Sequence, residues 1–174
     1  LAWLNRVVSA EQVLTPELAE LARAVADRYA GTMPDVLRLA LPPRHARVEK
    51  SAPAGPPEMT VAAPDLTGWE AYDGGPAFLE ALLADLHPRV AWQARPGEDW
   101  ATRVAELAAA VAVRGRGVVV VVPDHRDLDR LTEACEPLLG DWCVALAAGL
   151  GPTARYRRWL QVLRGQARVA IGTR

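Results

Sequence analysis

Lysine is almost missing from this chain: Lys50 is the only one, and the other cationic side chains are arginines. Any chemistry that needs an ammonium group, a Schiff base or a lysine grip on a phosphate must use that single residue. Cysteine is nearly as scarce. Cys135 and Cys143 are separated by seven residues, with His125 ten residues upstream. That spacing fits neither a C-x-x-C redox pair nor a zinc ligand set, so the two read as buried free thiols in a reducing cytoplasm, and no metal site is expected. Long apolar runs are lacking too. The longest valine run, Val118 to Val122, falls far short of the roughly 20 apolar residues of a membrane span. A surplus of positive charge is also missing: the formal net charge of -1 excludes a uniformly basic surface, although local basic patches remain open.

The chain has 174 residues, enough for one domain or for one domain with a fragment of another. Leu1 stands where an initiator Met would be, and the sequence closes on "VAIGTR" directly after an apolar run. The expectation is an internal piece of a longer protein.

Near the start, Thr15 can cap a helix whose first turn holds Pro16 and Glu17, with Leu18, Leu21, Ala22, Val25 and Tyr29 at helical spacing. Gly31 ends that helix. Thr32 and Pro34 open a shorter one, stopped by Pro42-Pro43. From Arg44 to Gly68 the sequence is rich in Pro, Ala and Gly and reads as a linker, its basic cluster Arg44, His45, Arg47 and Lys50 fitting a solvated linker face or, as the less favoured alternative, a phosphate contact. A regular alternation follows. Helices are expected at 76–86, 99–113, 127–139 and 153–164, and strands at 89–94, 117–122, 143–147 and 167–171. The unbroken "VVVVV" suits a central parallel strand buried on both faces. The layout is α/β and doubly wound, with ligands expected at the carboxyl ends of the strands.

The first strand-to-helix turn, "WQARPGEDW", occupies the place of a P-loop. A P-loop needs glycines to free its N–H groups, a lysine for the phosphates and a hydroxyl for magnesium. Here Pro96 has no N–H to donate, Gly97 is the lone glycine, and Glu98 and Asp99 put two carboxylates before Trp100, where a helix would otherwise attract an anion. The turn reads as a structural cap closed to nucleotide. At the end of the valine run, Arg126 is placed to meet a backbone phosphate, whereas His125 has no visible nucleophile or acid partner, so no catalytic residue is assigned. The helix after "GLGP" carries Arg155, Arg157, Arg158 and Arg164 beside Tyr156 and Trp159. That pattern fits either a nucleic-acid strand held by charge and stacking or a solvated arginine face with its aromatics turned inward. Thr173 and Arg174 add a hydroxyl and a guanidinium just past a strand end.

Three stretches, "LTPELAELARAVADRYAGTMPDVLRLALPPR", "VVVVVPDHRDLDRL" and "GLGPTARYRRWLQVLRGQARVAIGTR", together resemble the primosomal replication restart protein family, also called PriA or primosomal protein N-prime. The resemblance implies an α/β, parallel-sheet RecA-like helicase lobe (partial) over 69–174. Ahead of it, across the linker 44–68, residues 1–43 would be the small helical tail of an N-terminal domain that binds the 3′ end of a DNA strand. Active relatives are ATP-dependent helicases running 3′ to 5′ that reopen abandoned forks and reload the replicative helicase. This sequence departs from them. Pro96, Gly97, Glu98, Asp99 and Trp100 align with the family's Gly-Ser-Gly-Lys-Thr loop, so an Asp stands at the lysine position. The glutamine that helps recognise adenine is missing from "GWEAYDGGPAFLEAL", and the linker is short for the family's winged-helix domain. The pattern is similar to actinobacterial relatives with degenerate helicase motifs.

The expected function is therefore a DNA-binding primosomal protein without ATP-driven unwinding; an active but divergent helicase is the alternative. Expected nucleic-acid residues are Arg126, Arg155, Arg158, Thr173 and Arg174. Expected partners are forked, 3′-ended or single-stranded DNA, other primosome proteins and the helicase-loading machinery, with no membrane. The expected setting is cytoplasmic and nucleoid-associated. No cofactor is expected within this stretch, the family's zinc cysteines lying beyond it and ATP belonging to its active relatives.

Overall fold

The structure, a computed structural model, describes residues 9, 11–51, 61–147 and 149–173. It divides into two compact units, Leu1–Arg44 and His45–Arg174.

In the first unit α1 spans Pro16–Arg28 and α2 spans Met33–Ala40. The Thr15 hydroxyl oxygen accepts a hydrogen bond from the Leu18 N–H, and Pro16, with no N–H to leave unpaired, fills the first helical position. The end of α1 differs in detail from expectation. Ala30, not Gly31, takes the left-handed conformation (φ 50°), while the Gly31 N–H returns to the Ala26 carbonyl at 2.9 Å and closes a Schellman turn. Ala22 and Ala26 are buried, so α2 can approach α1 closely along small side chains.

The second unit runs α3 (Ala46–Ser51), a 3₁₀ turn at Thr67–Trp69, α4 (Gly75–Leu83), α5 (Trp100–Ala112), β1 (Val118–Val122), α6 (His125–Leu139), β2 (Cys143–Leu146), α7 (Pro152–Leu163) and β3 (Val169–Thr173). The three strands form one parallel sheet in the order β1-β3-β2, with Val122 opposite Thr173 and Leu146 opposite Gly172. Parallel neighbours need a crossover, and α6 and α7 supply it.

One face of the sheet carries the main core. Val118, Val120, Val122, Val169, Ile171, Cys143 and Ala145 meet α5 and α6 there. Helix α5 buries Ala101, Ala105, Ala108, Ala109 and Ala112, and such small side chains let α6 approach with Leu128, Leu131, Cys135 and Leu139. Cys135 is buried and Cys143 half-buried, both as free thiols; their mutual hydrogen bond and burial push the Cys143 thiol up, which keeps it protonated. A separate cluster joins α3 to α7, where Val48 packs on Tyr156 and Leu160.

Three expectations are corrected. Residues 89–94 form no ladder and no other regular element, and Trp92 is instead drawn into an aromatic cluster with Trp69 (ring centroids 5.1 Å apart) and Tyr72 (6.0 Å). The valine run is an edge strand, not the central one. Among the described residues β1 pairs on one side only, and Val119 and Val121 stand 77% and 66% exposed, while β3 with buried Val169 and Ile171 takes the centre. Lastly, residues 46–51 lie inside the stretch read as linker, yet they fold as a helix onto α7.

Candidate functional site

In a parallel α/β sheet the carboxyl ends of the strands and the starts of the helices that follow them share one edge. That edge holds the start of α6 with Arg126, the start of α7 with Arg155, and Thr173 at the end of β3. The loop before α5 reaches the same edge, because Asp99 is tied to Arg130 in the second turn of α6.

The loop is built by a tight turn. Arg95 accepts from the Glu98 N–H at 3.1 Å, with Pro96 first and Gly97 (φ 78°) second in the turn, a pattern that requires a left-handed residue where the glycine stands. Both carboxylates beyond it are engaged. Glu98 accepts a hydrogen bond from the Tyr72 hydroxyl and lies 3.5 Å from the guanidinium nitrogens of both Arg95 and Arg103. Asp99 sits at the cap position of α5 without capping a backbone N–H; its carboxylate accepts from the Thr102 hydroxyl at 2.6 Å and pairs with Arg130 at 2.8 Å. The Thr102 bond, followed by Arg130, holds the Asp99 carboxyl below the usual range.

Glu106, one turn deeper, is nearly buried and pairs with Arg103 at 2.7 Å; burial pushes its carboxyl up, and Arg103 only partly opposes this. A cavity of about 520 Å³ lies alongside, lined by Asp65, Asp99, Glu106 and Glu133 with Arg130 as its cation. An anionic ligand would meet four carboxylates there. The loop fits a nucleotide phosphate poorly: it offers one proline, one glycine, two occupied carboxylates and the Arg95 guanidinium, itself paired with Glu98.

Asp99 carries a pH prediction. A carboxylate held below its unfolded value contributes stability above pH of about 4 and loses that contribution as the pH falls further. Both partners are about half exposed, so the ion pair contributes under about 1 kcal/mol. Asp99→Asn is expected to lower the urea midpoint modestly at pH 7, with the difference from the parent shrinking below pH 4. A difference that stays constant across that range would contradict the assignment.

The other expected residues fare unevenly. Arg126 is exposed in the first turn of α6, beside the Asp124 carboxylate, which accepts from the Arg126 and Asp127 N–H groups and caps the helix. Thr173 is half-buried at the end of β3, next to Val122 of β1, and Arg155 is exposed at the start of α7. Arg158 points inward instead: its guanidinium donates to the Ala145 carbonyl at 2.5 Å. Arg174 lies outside the described residues. Tyr156 is 2% exposed and stacks on half-buried Trp159, so these rings pack inward. Sequence reasoning missed the aromatic cluster of Trp69, Tyr72, Phe78 and Trp92, through which Tyr72 reaches Glu98. The tryptophans were the available signal, but nothing local tells which rings meet.

Among the described residues no helix is long and apolar enough to cross a membrane, and no group of three metal-ligating side chains converges. Comparison with known proteins is informative from sequence alone. The chain is 56% identical over 175 residues to the "Probable replication restart protein PriA" of Mycobacterium tuberculosis, which covers 100% of this chain and 27% of that protein. The protein of the same name from Mycobacterium leprae is 52% identical over 178 residues, again covering 100% of this chain and 27% of the relative. The one from Deinococcus radiodurans is 35% identical over 102 residues, 55% of this chain and 11% of that protein. The chain thus spans about a quarter of the length of the mycobacterial relatives (27%). No family model matches the chain, and no solved structure does.

Proposed function

The chain belongs to the replication restart protein PriA family, and we propose that it is part of a DNA-binding protein of replication restart that works without an ATP-driven motor. In this reading the His45–Arg174 unit is part of a RecA-like lobe, residues 1–43 close a domain that binds the 3′ end of a DNA strand, and the partners are forked DNA, other primosome proteins and the machinery that loads the replicative helicase. The setting is cytoplasmic, on the nucleoid.

The observation that carries the reading is the state of Glu98 and Asp99. Two carboxylates hold the entrance of α5, each fixed to an arginine and a hydroxyl of this chain. A phosphate brought to this entrance would meet two like charges that their paired arginines offset only in part, and no free lysine or cluster of N–H groups to hold it. Arginines, by contrast, suit phosphates of a nucleic-acid backbone because their planar fork donates two hydrogen bonds at once. Arg126 and Thr173 at the carboxyl edge, with Arg174 following in sequence, are the groups proposed to contact the strand.

The test is ATP hydrolysis by the intact protein with and without a forked DNA bearing a free 3′ end, beside a DNA-binding measurement. Binding without DNA-stimulated hydrolysis is expected. Hydrolysis that rises strongly on adding the fork would overturn the motor-free reading and favour a divergent helicase.

A further inference from the structure

After Asp141, from Trp142 to Arg174, no acidic residue occurs, while Arg155, Arg157, Arg158, Arg164, Arg168 and Arg174 do. The structure adds α3 to this stretch. His45 Nε2 lies 3.1 Å from the Thr153 hydroxyl, the Tyr156 hydroxyl donates to Glu49 at 3.2 Å, and the Arg164 guanidinium donates to the Glu49 carbonyl at 3.1 Å. The two helices therefore run side by side in the same direction, with Val48 sealed against Tyr156 and Leu160. The carboxylate of Glu49, the acid of α3, is taken up by the Tyr156 hydroxyl. Arg47, Lys50 and Arg157 are all exposed, and among the described residues none has a carboxylate partner.

We propose that α3 and α7 together form a second DNA-binding face, outside the carboxyl edge of the sheet, that contacts the sugar-phosphate backbone of a duplex through Arg47, Lys50 and Arg157. The inference rests on the DNA-binding reading above. Three arguments select this ligand. Arg47, Lys50 and Arg157 outnumber Glu49, the one acid of α3, whose carboxylate is turned to the Tyr156 hydroxyl, so a net positive field remains. Helix α7 is about 18 Å long, which spans about five phosphates along one strand of a duplex. The aromatic rings that would stack on unpaired bases are instead turned inward, Tyr156 buried under Val48 and Trp159 half-buried on Tyr156. A face that offers charge without ring platforms contacts phosphates and leaves base identity unread.

The experiment is a salt titration of DNA binding by the intact protein, using a short labelled duplex of mixed sequence. Each phosphate contact contributes a slope of about 0.9 in log affinity against log salt. The triple variant Arg47→Gln, Lys50→Gln, Arg157→Gln is expected to lose about 2 to 3 units of slope. The charge-conserving variant Arg47→Lys, Lys50→Arg, Arg157→Lys should keep the slope and shows that loss is electrostatic and not structural. Duplexes of different base composition should bind alike. A parent protein that binds duplex while the triple variant keeps its full slope would overturn this face alone and leave the DNA-binding reading standing. A parent that binds no DNA at low salt would overturn both.

Discussion

Gly172→Ala is expected to destabilise the His45–Arg174 unit by about 3 kcal/mol, at the upper end of what overpacking one methyl costs. Gly172 stands in β3, the central strand, paired with Val121 on one side and Leu146 on the other. A Cβ built there would lie 2.6 Å from the Leu146 carbonyl oxygen and 3.6 Å from its Cβ. The near atom is backbone, locked in a ladder, so relief requires β2 to move away from β3 and lengthen the hydrogen bonds between them. The requirement is steric. Urea unfolding followed by far-ultraviolet circular dichroism measures it, and a midpoint indistinguishable from the parent would show that the two strands have room the structure does not give them.

Leu160→Ala is expected to cost about the same, roughly 2 to 5 kcal/mol, through the lost burial and the cavity left behind. Leu160 is fully buried between Val48 and Tyr156, so its removal undermines two helices together. The accompanying sign would be faster tryptic cleavage after Arg47 and Lys50, because α3, only six residues long, has little stability apart from its contact with α7. Val48→Ala should reproduce the cleavage with a smaller loss of stability. Unchanged cleavage in both variants would mean that α3 is held by other contacts.

Much of the architecture was legible because it is written in local chemistry. Thr15 before Pro16 marks the start of α1, and the later helices fall close to expectation, although α6 begins at His125, capped by Asp124, two residues before the expected 127. The alternation from β1 to β3 follows from short continuous apolar runs set between segments of helical, 3.6-residue period. The failures have a common cause, which is that partners distant in sequence decide the outcome. Val118 to Val122 looks like a strand buried on both faces, yet neighbours decide which strand is central, and β3 holds that place. Helix α3 buries one apolar side chain, too few to show a period, and the surface that stabilises it begins at Thr153, over a hundred residues later. The charges of the loop at 95–99 are plain in the sequence, whereas the partners of Glu98 and Asp99, which are Tyr72, Arg103 and Arg130, lie up to 31 positions away.

The edge position of β1 has a consequence for how the molecule behaves in company. A strand that, among the described residues, leaves one row of backbone donors and acceptors unpaired, with Val119 and Val121 exposed, is a template on which a second chain can add by cross-strand pairing. Five consecutive valines have the composition that such pairing rewards. What restrains it is the punctuation on either side. Arg116 stands two residues before the run, and Pro123, which has no N–H to lend a neighbouring strand, follows it directly with Asp124 behind. These residues stand where gatekeepers do, confining the unbroken apolar run to five residues.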